Sequence, residues 1–365
     1  MPGPLSRPYD VVVAGASFAG LAVARALESG SRVLLVDRQP LGEGVTSACA
    51  APVGIVRMMG AETSIVQIHT TLVVHTPGGS ATWPLPEPFC TFDYSKFCHA
   101  AAAGTQAVFL QASVRGYDGR HALTSAGPVE GKFLVDATGP RAALAGPGRP
   151  RYVAFGLESE ILWRVDRGLH FYFVPEIRDG YAWAFPCGDR TRFGVISYRG
   201  RTKVLRALER FMARFDACPD EVHGGYLASG WTDGADGDVF TVGDAAGQCL
   251  PVSGEGIRTA VLAGDYCGRL IQRVLDGAMT EAEARTAYRG YVAADRRRYR
   301  GLLAANVLLL RWPQRSLARA ARALGRPRPR RWFFGHYLGI FARPDARIPL
   351  PGKRAPAIAP DTSQP

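Results

Sequence analysis

Paired cysteines, long apolar runs and acidic charge are all scarce in this 365-residue chain. Its seven cysteines, at positions 49, 90, 98, 187, 218, 249 and 267, form an odd, scattered set without a C-x-x-C pair. That pattern argues against a disulfide framework and a structural zinc site, and reduced thiols fit a reducing compartment. No bound metal is expected. No stretch approaches the ~18–20 consecutive apolar residues that span a bilayer, and the longest, Leu302 to Leu310, is too short. From Met1 the chain runs through Pro2 and Pro4 almost directly into a strand at Tyr9, leaving no room for a signal peptide. A cytoplasmic location is therefore expected. Acidic residues number 32 against 44 lysines and arginines, a net charge of +12 that points to an acidic ligand, an anionic membrane or nucleic acid.

What is present indicates a folded protein of more than one unit. Hydrophobic residues make up 47% and charged residues 21%, enough for a sizeable core. The length exceeds the ~100–200 residues of a usual domain, so two intertwined domains or a large insertion are expected. No internal repeat is evident. Tyr9 to Ala14 reads as a buried parallel strand, Ala19 to Glu28 as a helix, and Arg32 to Val36 as a second strand ending at Asp37. Gly42 to Gly60, rich in Gly, Ala and Pro, reads as a loop passing near a ligand. A helix over Asp93 to Ala103 and a strand over Phe133 to Val135 follow, the strand ending in Asp136-Ala137-Thr138-Gly139. Between Arg151 and Tyr198 short β-rich segments alternate with turns, as in an inserted antiparallel sheet. After a helix over Lys203 to Phe215 the chain returns with Val239 to Val242 and a helix from Glu255 to Leu275.

The turn Gly15-Ala16-Ser17-Phe18-Ala19-Gly20 is a G-x-x-x-x-G variant of the Rossmann fingerprint, with Ser17 replacing the middle glycine. The first glycine permits the tight turn, and the last lets helix and strand pack closely. Backbone N–H groups at the helix start then face a pyrophosphate. Asp37, 22 residues after Gly15 and followed by Arg38, stands where an acid accepts ribose hydroxyls. An acid there favours FAD or NAD over NADP.

Val242-Gly243-Asp244-Ala245-Ala246-Gly247-Gln248 and then Pro251-Val252-Ser253-Gly254-Glu255-Gly256-Ile257 resemble the flavin segment of the p-hydroxybenzoate hydroxylase superfamily. The resemblance implies that Asp244 holds the ribitol and that the helix opened by Gly254 to Ile257 faces the isoalloxazine. FAD is then the cofactor. Gly139, in the segment usually written D-G, belongs to the same site. Reduced flavin carries its charge at N1–C2=O, and a helix N-terminus stabilises an anion. Gly180-Tyr181-Ala182-Trp183-Ala184-Phe185-Pro186, with Gly194 eight residues on, resembles the Y-x-W-x-F-P…G-x-G pattern of the geranylgeranyl reductase family. Alternation puts Tyr181, Trp183 and Phe185 on one strand face, an aromatic wall suited to a long polyene. Pro186 closes the motif, and Gly194-Val195-Ile196 departs from it at the last glycine. Cys49 stands where many members carry a cysteine facing the flavin; it either tunes or protonates that side or is a small buried hydrophobe. The halogenase signature W-x-W-x-I-P is absent.

The expected class is α/β, α+β overall. A Rossmann-type FAD-binding domain (1–75, 90–145 and 230–280) carries an inserted antiparallel substrate domain (76–89 and 146–229). A basic helical C-terminal region (281–345) and a disordered tail (346–365) follow. Arg315, Arg319, Arg322 and Arg326 recur at helical spacing opposite Leu317, Ala321 and Leu324, with Trp332, Phe333, Phe334, Tyr337, Leu338 and Phe341 after them. Such a helix suits an anionic membrane surface, or packs over the flavin domain with the aromatics as core. No nucleic-acid motif accompanies the charge, so no nucleic acid is expected. The resemblance implies reduction of C=C bonds in a prenyl lipid, with Cys49, Tyr181 or a flavin-bound water as acid. NAD(P)H or a small electron carrier would restore the flavin, since no second dinucleotide fold is present. The alternative is a flavin monooxygenase acting on an aromatic or polyketide-like substrate with NAD(P)H and O2. A flavin-binding sensor or lipid-binding module without chemistry is a third reading.

Overall fold

A computed structural model describes residues 7–28, 30–146, 152–177, 179–235, 237–312 and 314–342, without the side chains of residues 152, 314 and 315. The expected disordered tail at 346–365 lies outside them, as does the side chain of Arg315. Two sheets organise the chain.

The apolar, non-alternating runs make strands buried on both faces, β1 (Tyr9–Ala14) and β2 (Val33–Asp37), joined by helix α1 (Phe18–Ala26). They pair in parallel, Val11 opposite Val33. Next come β3 (Ala50–Pro52) and helix α2 (Val53–Met58), so the segment read as one loop from 42 to 60 is regular in its second half. Its apolar side chains Ala51, Val53, Ile55 and Val56 are buried, which a surface loop would not allow. Two long strands, β4 (Ile65–Thr76) and β5 (Gly79–Phe92), form a hairpin. Helix α3 (Tyr94–Ala103) follows, its start capped by the Asp93 carboxylate accepting from Lys96 N–H at 2.8 Å. Strands β6 (Val108–Gln111), β7 (Val114–Tyr117), β8 (His121–Thr124) and β9 (Gly127–Asp136) return to the first sheet.

The inserted part holds β10 (Tyr152–Leu162), β11 (Leu169–Tyr172), β12 (Gly180–Cys187) and β13 (Arg190–Ser197), helix α4 (Val204–Met212) and β14 (Val222–Ser229). Strand β15 (Val239–Thr241) and helix α5 (Ile257–Leu275) bring the chain back. Helices α6 (Glu281–Ala293), α7 (Arg296–Arg311), α8 (Gln314–Leu324) and α9 (Pro327–Leu338) complete it.

The first sheet runs β6-β2-β1-β9-β8-β7, with β15 also parallel to β9. The second runs β14-β10-β13-β12-β11-β4-β5-β3. It therefore takes in residues 50–52 and 65–92, and begins well before the boundary at 76 drawn from the sequence. The reason is the long β4–β5 hairpin: its first strand pairs with the second from Ile65 to Thr76 and so belongs to the same sheet.

Helix α5 lies close on α1 because glycines face it. A Cβ on Gly264 would sit 2.5 Å from the Ala19 carbonyl oxygen, and one on Gly268 2.5 Å from that of Val23. The contacts run the two helices in the same direction, Ala19 against Gly264 and Val23 against Gly268, so that both begin toward the C-terminal edge of the parallel sheet, where ligands bind in open α/β folds.

Candidate functional site

A cavity of about 880 Å³ begins at that edge and continues between the second sheet and the C-terminal helices. Its size falls within the ~300–1,000 Å³ typical of ligand pockets. One arm is walled by polar turns and the other by apolar side chains.

The polar arm contains the turn after β1. Gly15 has φ +105°, and a Cβ there would lie 2.2 Å from the Ala137 carbonyl oxygen, so no other residue fits. A Cβ on Gly20 would come within 1.8 Å of the Gly15 carbonyl oxygen. Gly20 and Ala16 do not line the cavity; they shape the turn, while Gly15, Ser17 and Ala19 face inward. Ser17 precedes α1 without a side-chain cap, its hydroxyl instead accepting from Tyr94 at 3.0 Å. The N–H groups of the first helical turn are left to a ligand. Asp37 and Arg38 line the same arm. Each Asp37 oxygen accepts one backbone N–H, from Ala16 at 2.8 Å and Gln39 at 3.0 Å, with lone pairs remaining for hydroxyl groups.

Opposite stands the second motif. Gly243 has φ +62°, and a Cβ there would lie 3.1 Å from that of Ala19. Asp244 lines the cavity and accepts the Ala228 N–H at 2.9 Å. Gly254, Glu255, Gly256 and Ile257 line it too, and α5 starts at Gly256 without a side-chain cap. Pro251 lies behind the wall, its carbonyl accepting from the Tyr198 hydroxyl. Glu255 pairs with the buried Arg258 at 2.9 Å, and Arg258 donates to the carbonyls of Tyr337, Leu338 and Ile340. Glu255 is thus occupied in fixing α9. Gly139, at φ +71°, completes this arm, whereas Asp136 is wholly consumed by Thr138, Leu144 and Ala145. Two uncapped helix starts, an acid at the end of β2, and turns that exclude a Cβ fit an extended dinucleotide such as FAD.

The apolar arm bears out the alternation read in the sequence. Tyr181, Trp183 and Phe185 line it, with ring centroids 6.2 Å apart along the strand, while Ala182 and Ala184 pack away from it, in the core shared with α4. Phe171 and Phe173 extend the wall. Pro186 does not face the cavity; its carbonyl accepts from Thr91 at 2.8 Å. Ile196, at the position of the missing glycine, lines the cavity against Gly254. The Tyr181 hydroxyl donates to the Ser253 carbonyl, and burial pushes its pKa up, so it stays protonated.

Of the two readings of Cys49, the side chain adopts the buried one. Its neighbours Ser47, Ala48 and Ala50 line the cavity, but its side chain belongs to the core, its thiol donating to the Ser47 carbonyl at 3.4 Å. Burial is the first cause holding its pKa well above the ordinary value. The left-handed backbone at Cys49 (φ 47°) turns the side chain inward.

Sequence reasoning passed over three features. Arg192, 8% exposed, pairs with Glu160 at 2.6 Å and donates to the carbonyls of Ala48, Cys49 and Phe92, thereby pinning the 46–50 loop. Glu158 is a buried carboxylate in the cavity wall. A pair of like charges two residues apart in an otherwise largely apolar strand, Glu158 with Glu160 and Arg190 with Arg192, was the available signal for both. The third is the roof: Leu309, Leu317, Ala321, Leu324, Phe334 and Tyr337 from α7, α8 and α9 close the apolar arm. The aromatic cluster therefore splits. Phe334, Tyr337 and Phe341 are buried and Trp332 is exposed; α8 and α9 lie on β4 and β5 of the second sheet, while Tyr299, Tyr337 and Phe341 join the core of the parallel-sheet half. Arg319, Arg322 and Arg326 face outward. No helix of the described residues is long and apolar enough to cross a membrane, and no cluster of metal-ligating side chains occurs among them.

No family model matches the chain. In sequence it is similar to digeranylgeranylglycerophospholipid reductase 1 of Methanopyrus kandleri, 26% identical over 314 residues, covering 75% of this chain and 83% of that protein. It is likewise similar to the digeranylgeranylglycerophospholipid reductase of Methanocaldococcus jannaschii, 27% identical over 313 residues, covering 74% and 78%. In structure it is similar to a geranylgeranyl bacteriochlorophyll reductase-like protein from Thermoplasma acidophilum, with TM-score 0.78, 17% identity and coverage of 88% and 92%. A flavin-dependent brominase shares the fold at TM-score 0.71, 19% identity and coverage of 92% and 94%. The chain thus resembles the geranylgeranyl reductases in sequence, and its fold is that of flavin-dependent oxidoreductases.

Proposed function

We propose that this relative of the digeranylgeranylglycerophospholipid reductases is an FAD-dependent enzyme that saturates C=C bonds of a prenyl chain. The observation that carries the proposal is the single cavity joining a dinucleotide-shaped arm to a roofed aromatic slot. The parallel-sheet half is the FAD-binding part, and the antiparallel half with the C-terminal helices is the substrate part.

When bound, reduced FAD supplies the hydride. The N–H groups at the start of α1 would hold its pyrophosphate, and Asp37 would accept its adenosine ribose hydroxyls. Asp244, oriented by the Ala228 N–H, would hold the ribitol, and the start of α5 would stabilise negative charge on the reduced ring. Tyr181, Trp183, Phe185 and Phe171 hold the alkene and exclude water. An isolated alkene has no carbonyl to store charge, so rate depends on close, dry positioning. The roof of α7–α9 supplies that dryness. NAD(P)H or a small electron carrier serves as external reductant. The outward cationic face of α8 lies against anionic lipid, from which a prenyl lipid is drawn.

The test is mass spectrometry of prenyl lipids incubated without oxygen with dithionite-reduced protein. Products heavier by pairs of hydrogens, absent with an Asp244→Ala variant that has lost FAD, are the expected result. Unchanged lipids, with products heavier by one oxygen under NADPH and air, overturn the reductase in favour of a monooxygenase.

A further inference from the structure

Among the described residues, the second sheet contributes one carboxylate to the cavity wall, Glu158 on β10, and its side chain is 3% exposed. A charge in such a place is costly unless it is held or used. Its Oε2 accepts the Trp183 indole N–H at 2.6 Å. Its Oε1 stands 3.2 Å from Nε2 of His223, an ion-pair distance, and accepts no hydrogen bond from any described residue. His223, on the neighbouring strand β14 and opposite Glu158 in register, keeps 29% of its side chain in solvent.

The two partners differ in kind. An indole N–H donates and never gives up its proton in water, so Trp183 can only orient the carboxylate. An imidazole gains and loses protons readily and is the usual shuttle. Gly156, Gly224 and Gly225 line the cavity beside Glu158, so no side chain from those positions screens it.

We propose that His223 and Glu158 form a proton line from solvent to the apolar slot, with Trp183 holding the Glu158 carboxyl in place. The inference rests on the proposed reductase reading. Saturating an isolated alkene takes one hydride and one proton. In the step the Glu158 O–H bond breaks, and the alkene π pair forms a C–H bond to that proton. The hydride that reduced FAD supplies fills the other carbon. His223 Nε2–H then returns a proton to the carboxylate, and water returns one to His223. Glu158 is the catalytic residue of this line and His223 a positioning and relay residue. The groups around them are Glu160 on the same strand, Arg192 on β13, and the thiols of Cys187 on β12 and Cys49. Arg192 is paired with Glu160 at 2.6 Å, and burial keeps both thiols protonated, so neither thiol competes as the shuttle.

Two measurements test the line. An infrared difference spectrum of the oxidised holoprotein should show a buried carboxyl band that vanishes in Glu158→Gln and changes frequency in His223→Asn. It needs neither substrate nor turnover. Single-turnover reduction of a prenyl lipid should then slow about 100-fold in Glu158→Gln, the scale of general acid catalysis. Glu158→Asp should recover part of that rate, and His223→Asn should flatten the pH profile. His223→Asn alters only the half-exposed end, so it reports even if Glu158→Gln folds poorly. Wild-type rates and an unchanged pH profile in either variant overturn the line while leaving the reductase standing. A wild-type protein that reduces no prenyl lipid overturns both, whatever the infrared band does.

Discussion

Replacing Gly194 with alanine would put a methyl carbon 2.0 Å from Cζ2 of Trp183. Carbon atoms do not rest closer than about 3.5 Å, so the indole or β13 must move by about 1.5 Å. Strand β13 is held on both sides, by β10 and β12, so the indole yields. Its 2.6 Å bond to Glu158 then breaks, and a buried carboxylate keeps only His223. Overpacking costs about 1–3 kcal/mol, and loss of a hydrogen bond to a charged group about 1.5–3 kcal/mol. Because one movement causes both, the costs overlap, and about 3 kcal/mol is expected in total. Urea unfolding would read that loss as a lower midpoint. Prenyl-lipid turnover should fall with it, since the slot is narrowed at its aromatic wall. The polar turns at Gly15 and Gly243 are untouched, so FAD content after purification should stay at the wild-type level. An unchanged urea midpoint together with normal turnover would refute the claim that Gly194 is the seat of Trp183.

Gly243→Ala forces an L-residue into φ +62° and a 3.1 Å contact with Ala19, so FAD affinity should drop about tenfold or more, read by flavin titration. Arg192→Met leaves the loop carbonyls without their donor and Glu160 with Arg190 alone, 3.0 Å away, so the loss of hydrogen bonds to a charged group, about 1.5–3 kcal/mol, is expected. The same variant should speed alkylation of Cys49, and equal rates would show that Arg192 does not pin the loop. Burial holds the His69 pKa at about 4 against 6.5, so the unfolded chain binds the extra proton between those values. Stability is therefore full above pH 6.5 and declines as pH falls toward 4, by on the order of 3 kcal/mol, and His69→Gln should flatten that decline in urea titrations. Arg319→Glu with Arg322→Glu should abolish sedimentation with phosphatidylserine vesicles without changing turnover of a detergent-dispersed lipid; unchanged sedimentation refutes the membrane face.

The parts of this fold that were legible from sequence are those whose constraints are local. Gly15 and Gly243 answer first to their own positive φ and Gly20 to the Gly15 carbonyl, although Ala137 and Ala19 also crowd the first two from afar, and the strand–turn–helix pattern carries that geometry openly. The same holds for Tyr181, Trp183 and Phe185, because alternation fixes their face whatever lies opposite. What stayed hidden depends on distant partners. Cys49 sits in a cavity-lining loop, and only its own left-handed backbone, together with Arg192 from a strand 143 residues away, decides that its thiol turns inward. Glu158 meets Trp183 across 25 residues and His223 on a third strand, pairings that no periodicity announces. The β4–β5 hairpin escaped notice because the first half of β4 alternates against its polarity, with Val66 and Ile68 exposed and His69 buried.

The C-terminal helices show why charge alone misled about the roof. Their arginines dominate the sequence, yet the residues that define the site are the small and apolar ones on the opposite face, Leu317, Ala321 and Leu324. That face is attached twice. The Trp83 indole N–H donates to the Ala321 carbonyl at 3.0 Å, and Ser253 meets the Tyr337 hydroxyl. Ser253 also offers its carbonyl to Tyr181, so one residue of the loop before α5 joins the aromatic wall to the roof. Arg258, one turn into α5, holds Glu255 of the same loop and the carbonyls at the end of α9. The loop before α5, the aromatic wall and the roof are therefore fastened to one another. A change at the loop must be felt at the roof, and a slot sealed in this way suits a reaction that has to keep water from a hydride.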